Sequence, residues 1–289
     1  MILVGYILKR FGIFRTEDAR IISRMIIHVT LPAALANGYR NFQFETDYLL
    51  LIAIAIASNL LLMCLGLWLS RKQDMATQAL YSMNISSYNI GCFVLPFVQS
   101  FLPAEALVAA AMFDAGNCPF NAGISYAVVS ARESGEQIRP RYVIDKLLHS
   151  VPFMSFIILM SMAFLGLQFP DWIYDITSTV GGANTYLAML MIGILFDVHI
   201  EKKDRRQILQ ILDLRYGFNL LFALIIWFLP LPLLLRQVGM VAILAPIPSV
   251  AMVYCEKCGC KPEQYGVLNS LSLAISLCLT FPLLLLSHL

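Results

Sequence analysis

Asn89-Ile90-Gly91-Cys92-Phe93-Val94-Leu95-Pro96 and Ala245-Pro246-Ile247-Pro248-Ser249 each interrupt a long apolar run with residues that an α-helix tolerates poorly. A proline inside a helix removes one backbone donor and clashes with the preceding turn, and two in three residues cannot continue a regular helix. In hydrocarbon the amides and carbonyls released by such a break must find protein, water or a ligand. For either run alone, a packing kink explains the residues as well as a binding site does. The two breaks fall at equivalent places in the two halves of the chain, and that match favours a site.

The surroundings of both breaks are those of a membrane protein. Of the 289 residues, 59% are hydrophobic and 13% charged, against about 25% charged in an ordinary soluble domain. A soluble fold of this size could not hide that much apolar surface from water. A net charge of +2 with scattered basic residues gives no patch for nucleic acid. The seven cysteines lie mostly in apolar runs and form no secreted disulfide framework.

Residues 48–70, 75–104, 147–170, 176–196, 216–235, 237–255 and 264–289 carry no Asp, Glu, Lys or Arg, and each is long enough to cross a bilayer as a helix. Residues 106–131 form another such stretch, broken only by Asp114, and residues 25–39 a shorter one that Arg20 and Arg24 could extend by snorkelling. With the apolar fragment 1–8, the expected number of spans is ten. That fragment is too short to cross and has neither a basic lead nor a cleavage site, so the first helix is expected to be truncated, with its true start upstream. Loop charge tests the count: alternate loops hold eighteen of the 20 Lys and Arg, and the opposite loops hold only Arg40 and Arg236. The positive-inside rule then places both termini outside the cytoplasm of a cell (plasma or inner) membrane. Residues 132–146 form the longest cytoplasmic connection. They divide the chain into residues 1–131 and 147–289, two five-helix sets that must run in opposite directions. The expected fold is all-α and polytopic, ten transmembrane helices in two inverted repeats with helices 4 and 9 broken.

At these residues the sequence resembles the auxin efflux carrier family of organic-anion transporters. Gly5-Tyr6-Ile7-Leu8-Lys9-Arg10 is similar to the end of that family's first helix, and Leu31-Pro32-Ala33-Ala34-Leu35 to its Leu-Pro-Ala motif. Asn89 to Pro96 resembles the crossover in the fourth helix, and Phe113-Asp114-Ala115-Gly116-Asn117 the Asp-x-Gly-Asn of bacterial members. The run from Gly181 to Leu195 is similar to the seventh helix, and Pro246 matches the ninth-helix proline. The resemblance implies broken helices that cross near the midplane, a scaffold half of spans 1, 2, 6 and 7 that is often dimeric, and a mobile half of spans 3–5 and 8–10. It implies small carboxylates such as malonate, malate or auxin as cargo. The chain departs from the family pattern in its short first helix and in the cysteines after the ninth.

The candidate substrate residues are Asn89, Gly91, Pro96, Pro246, Pro248 and Ser249. Asn89 supplies two donors and an acceptor seven residues before Pro96. It is also a ready cap for its own broken helix. Half-helix N-termini carry partial positive charge, so a crossing of two broken helices can hold a carboxylate without a buried Lys or Arg, and the charge pattern puts no basic residue deep in any span. Ser249 offers a hydroxyl, although in membranes serine often bonds its own helix backbone. Asp114 is the one acid well inside an apolar span, roughly 14 Å below Glu105 at 1.5 Å per residue. Intramembrane acids are costly and commonly functional, so Asp114, with Asn117 at i+3 to orient it, is the candidate for coupling to a proton or a cation such as sodium; a structural acid is the alternative. Cys255-x-x-Cys258-x-Cys260 has no fourth ligand nearby for zinc. His28, His149, His199 and His288 form no cluster in sequence, and His28 reads as a satisfied core residue. No metal site or cofactor is expected.

The leading expectation is a secondary carrier working by alternating access. No nucleotide-binding motif and no catalytic constellation is legible, so the chain is not expected to be an enzyme. A sodium-coupled symporter of the bile-acid type and a non-transporting membrane sensor are the alternatives.

Overall fold

A chain this apolar can close its backbone hydrogen bonds in hydrocarbon only as helices or as a closed barrel. The computed structural model describes residues 1–15, 17–40, 45–134, 140–195 and 204–287, and among them it is helical with no strand. The helices are α1 (Ile2–Arg10), α2 (Asp18–Gly38), α3 (Asp47–Leu69), α4 (Met75–Ile85), α5 (Leu95–Phe101), α6 (Glu105–Asn121), α7 (Ile124–Ser134), α8 (Pro140–Leu148), α9 (Val151–Phe164), α10 (Asp171–Leu195), α11 (Arg205–Phe228), α12 (Leu233–Ile243), α13 (Ser249–Lys257) and α14 (Pro262–Ser287).

Five of these are long and apolar enough to cross a membrane: α2, α3, α10, α11 and the Pro262–Leu283 part of α14. The most apolar, α3, has a mean hydropathy of 2.5. Leu49, Ile56, Leu60 and Trp68 of α3 and Leu220, Leu224 and Phe228 of α11 point outward and exposed, as side chains facing lipid do. The charge-free stretches 75–104, 106–131 and 237–255 are not single helices. They divide into α4 and α5, α6 and α7, and α12 and α13. The described residues of the connection 132–146 are also helical, with Arg132 in α7 and Arg141 and Lys146 in α8.

Other helices run past the charge-free stretches. α10 begins at Asp171, five residues before residue 176, and α11 at Arg205, eleven before residue 216. Charged side chains near a helix end reach the interface by snorkelling and need not end the helix. Two expectations from the charge pattern are thereby corrected. Arg215 is not a loop residue, because it lies about 15 Å into α11 at the usual helical rise and is fully buried. A basic residue therefore does lie deep in a span. His28 is exposed, not a core residue, and its Nδ1 lies 3.0 Å from the Arg24 carbonyl oxygen. Arg139, His199, Lys202, Lys203 and His288 fall outside the described residues.

Membrane helices gain little from hydrophobic burial against one another, so close backbone approach does much of the packing. Gly5 of α1 and Gly193 of α10 face each other. A Cβ on Gly193 would run into the Ile2 carbonyl, and one on Gly5 into the Leu190 carbonyl. Gly181 of α10 meets α2, where a Cβ would lie 2.7 Å from the Ala34 amide nitrogen. These contacts bind α1, α2 and α10 together. In a second group α3 packs against α6 and α4, and α11 against α12 and α4. Gly116 of α6 lies so close to α3 that a Cβ would come 2.9 Å from Ala55 Cβ. α5 touches α10 and so joins the two groups.

Gly193→Ala should lower the thermal unfolding midpoint of the purified protein by several degrees, an overpacking cost of about 1–3 kcal/mol. Gly182→Ala, where a Cβ meets nothing within 4 Å, should leave it unchanged or slightly raised. Equal effects in both variants would remove the α1–α10 contact as a packing constraint.

Candidate functional site

The first break opens where α4 stops at Ile85, and its cause is not a proline. Ser86 is extended, and Ser87 has φ 61°, the one non-glycine residue with positive φ among those described. A side chain in this region costs of order 1–3 kcal/mol and persists only where its surroundings enforce it. Here three asparagines enforce it. Asn59 Oδ1, from α3, accepts from the Ser87 amide at 2.7 Å. Asn117, from α6, pairs with both backbone groups of Tyr88: its Oδ1 accepts from the amide at 3.0 Å and its Nδ2 donates to the carbonyl at 2.9 Å. Asn121 donates to the same carbonyl at 3.2 Å.

Beyond the break, Ile90–Val94 forms a single wide turn in which the Val94 amide donates to the Asn89 carbonyl, five residues back. Pro96 sits at the start of α5, buried. The wide turn moves the carbonyl with which the proline ring would otherwise clash. The same device occurs at Ile26–Thr30, just before Pro32.

The second break runs from Leu244 to Pro248, between α12 and α13. α14 satisfies it. Ser276 Oγ donates to the Leu244 carbonyl at 2.7 Å, Ser272 Oγ accepts from the Ile247 amide at 3.1 Å, and Asn269 Nδ2 donates to the Ile247 carbonyl at 3.1 Å. Tyr216 of α11 donates to the Ser272 carbonyl at 2.6 Å and steadies that helix. The two breaks touch directly, through a 3.0 Å bond from the Asn89 amide to the Pro246 carbonyl.

Arg215 ties both breaks together. Its Nη1 donates to the carbonyls of Asn84, Ile85 and Ser86 at 3.1, 3.0 and 3.1 Å. Its Nη2 donates to Ser87 at 2.8 Å and, across the crossing, to Ala245 at 2.9 Å. The guanidinium carbon stands 5.2 Å from the Tyr88 ring centre and 5.9 Å from that of Tyr216, within the range of cation–π attraction. No carboxylate among the described residues pairs with it.

The residues singled out in the sequence take different places. Asn89 caps the wide turn, its Oδ1 accepting from the Cys92 amide at 3.2 Å, while its Nδ2 makes no hydrogen bond among the described residues. Ser249 opens α13, half-buried, and its hydroxyl likewise makes none among the described residues. Pro246 supplies the carbonyl that Asn89 meets, and Pro248 is the residue before the first turn of α13. Gly91 is half-buried, and a Cβ there would come no nearer than 3.8 Å to Leu31, so close approach does not explain it. Asp114 and Asn117 do share a face: Asn117 Nδ2 donates to Asp114 Oδ1 at 3.0 Å. Asp114 also lines a small cleft with Leu35, Leu95, Cys118, Pro152 and Phe156, where α2, α5, α6 and α9 meet. Cys255 accepts from Asn84 Nδ2 at 3.3 Å and Cys260 donates to the Ala76 carbonyl at 3.1 Å, so these thiols pack α13 and the turn after it against α4.

Charge-free stretches could not reveal Asn59, Arg215 or the α14 serines. A periodic signal was nevertheless present in α11, where Ile208, Ile211, Leu212, Arg215, Tyr216, Asn219, Ala223 and Ile226 recur at helical spacing and are buried together. A second polar set lies where α5 meets α10. Thr30 donates to Asn184 Oδ1 at 2.9 Å, Asn184 donates to Gln99 Oε1 at 3.3 Å, and Gln99 donates to the Gly181 carbonyl at 3.0 Å.

Comparison with known proteins points to membrane transport. The profile of a family described as "Membrane transport protein" matches residues 1–152. An "Uncharacterized transporter" of Methanothermobacter thermautotrophicus is 25% identical over 120 residues, a match that covers 40% of this chain and 40% of that protein.

Ser87→Gly should keep or raise the unfolding midpoint, because glycine adopts φ 61° freely, whereas Ser87→Val should lower it. Asn117→Ala should also lower it, through a stability loss of about 1–3 kcal/mol, since the Tyr88 amide loses its partner. Thermal unfolding of the three variants checks this, and a stable Asn117→Ala would mean that the break does not depend on it.

Proposed function

Because the chain belongs to the membrane transport protein family of auxin efflux carriers, we propose that it is a secondary carrier that moves a small organic anion, a carboxylate, across the membrane. One observation carries the reading. Two half-helices begin beside each other at the crossing, joined by the Asn89–Pro246 bond, with Asn89 Nδ2 and Ser249 Oγ left without partners among the described residues. Half-helix N-termini favour negative charge, and the two side chains add neutral donors suited to a carboxylate.

Several features support the wider reading of ten passes in two inverted repeats, residues 1–131 and 147–289. The α4–α5 break is held by α3 and α6, and the α12–α13 break by α11 and α14. Each break is thus held by the helix before it and the helix after it. The grouping of α1, α2 and α10 on one side and α3, α4, α6, α11 and α12 on the other, in contact where α2 meets α6, suits a scaffold against which the crossover moves in alternating access. Asp114, bonded through Asn117 to the first break, is placed to couple a proton to that movement. A cell-membrane location with both termini non-cytoplasmic, and pairing of scaffolds into a homodimer, complete the proposal.

The test is a thermal-shift screen of small carboxylates on the purified protein at two pH values. Malonate- or malate-like anions are expected to stabilise it, and a screen in which no carboxylate does so would count against the reading. Asn89→Ala should weaken that stabilisation about tenfold in affinity, the loss of one hydrogen bond to a charged group, while leaving the unfolding midpoint of the free protein within a few degrees. In proteoliposomes Asp114→Asn should flatten the pH dependence of uptake, and a pH profile like that of the unaltered protein would make Asp114 structural.

A further inference from the structure

We infer that Arg215 is a built-in counter-cation of the crossing, occupying the place where a coupling sodium ion would otherwise bind, so that anion binding by this carrier does not require sodium. The inference rests on the carrier reading of the crossing. Its physical basis is the negative side of the same geometry. Where two broken helices cross, the two C-terminal ends and their unwound carbonyls form a natural cation site. In this protein those ends belong to α4 and α12, and one guanidinium serves both. It receives the carbonyls of Asn84, Ile85, Ser86 and Ser87 from the first end and that of Ala245 from the second.

The charges balance. Each helix C-terminus carries roughly half a negative charge, so the two together offset about one positive charge. Arginine supplies that charge permanently. No carboxylate among the described residues does the balancing instead, as one would if Arg215 were half of an ordinary buried ion pair. The carbonyls that a second cation would need already accept from Arg215, which is wholly buried. A charge supplied by a side chain cannot dissociate between transport cycles, unlike a sodium ion.

The experiment compares the full-length protein with Arg215→Ala and Arg215→Lys, reading both the unfolding midpoint and the additional shift given by a stabilising carboxylate such as malonate. For the unaltered protein the malonate shift should be the same in sodium chloride and in choline chloride of equal ionic strength. Arg215→Ala should unfold roughly 5 °C or more lower and lose most of the malonate shift. Millimolar guanidinium should restore both, and choline should restore neither. Arg215→Lys, which keeps the charge, should retain most of the malonate shift, and with the sodium comparison it decides the matter if Arg215→Ala does not fold. A sodium requirement in the unaltered protein would overturn the inference while leaving the carrier reading intact, as would a full malonate shift in Arg215→Ala without guanidinium. Absence of any carboxylate shift would instead count against the carrier reading. In that case the effect of guanidinium on the Arg215→Ala midpoint decides the inference alone: recovery supports it, and no recovery overturns it.

Discussion

Backbone groups released from a helix at membrane depth must be satisfied by the protein itself, and in this chain that requirement governs the architecture. Two breaks expose amides and carbonyls from Asn84 to Asn89 and from Leu244 to Pro248. Asn59, Asn117, Arg215, Ser272 and Ser276, buried polar side chains of α3, α6, α11 and α14, are committed to them. The breaks are therefore not weak points tolerated by a flexible bundle. They are anchored more densely than the regular helices around them, and the strained Ser87 backbone persists because Asn59 and Arg215 hold both of its polar ends.

The anchoring separates two kinds of charge. The C-terminal ends of α4 and α12 are filled by Arg215. The N-terminal ends that start the wide turn at Ile90 and α13 at Ser249 retain donors on Asn89 and Ser249 that have no partner among the described residues. A crossing filled on its negative side and open on its positive side has a definite polarity, and the anionic cargo proposed above rests on this polarity. The Thr30–Asn184–Gln99 set then joins α2, α10 and α5 across the seam between the two helix groups, where any relative movement of those groups has to exchange hydrogen bonds.

Much of this was legible in the sequence, and what was not has identifiable causes. Apolar composition pointed to the membrane, and the prolines pointed to the right two runs. Proline nevertheless misplaced the first break by several residues. Pro96 acts on the turn before it, producing a wide turn, while the helix ends eleven residues earlier at Ile85 because side chains from three other helices hold the backbone after it open. Arg215 was hidden for a related reason. A charged residue was read as the edge of a span, but α11 continues for ten residues on the other side of it, with Arg205 and Arg206 at its true end. Loop-charge alternation survives the reassignment of one arginine, so the count of passes gave no warning. Asn59 was passed over because a single amide in a 23-residue apolar helix does not disturb hydropathy.

Arg215 also constrains how the molecule can be made. It lies 128 to 131 residues after the carbonyls of Asn84 to Ser87 that it satisfies, and a chain emerges from its N-terminal end first. When α4 and α5 enter the bilayer, α11 has not yet been synthesised. The first half of the protein is thus an unfinished object whose central carbonyls stay wet, or lean on the insertion machinery, until the second half arrives. Truncation before residue 215 should leave that half unable to seal itself, however apolar its helices are. Biogenesis of this bundle is consequently a joint event of both halves and not the sequential docking of two finished ones.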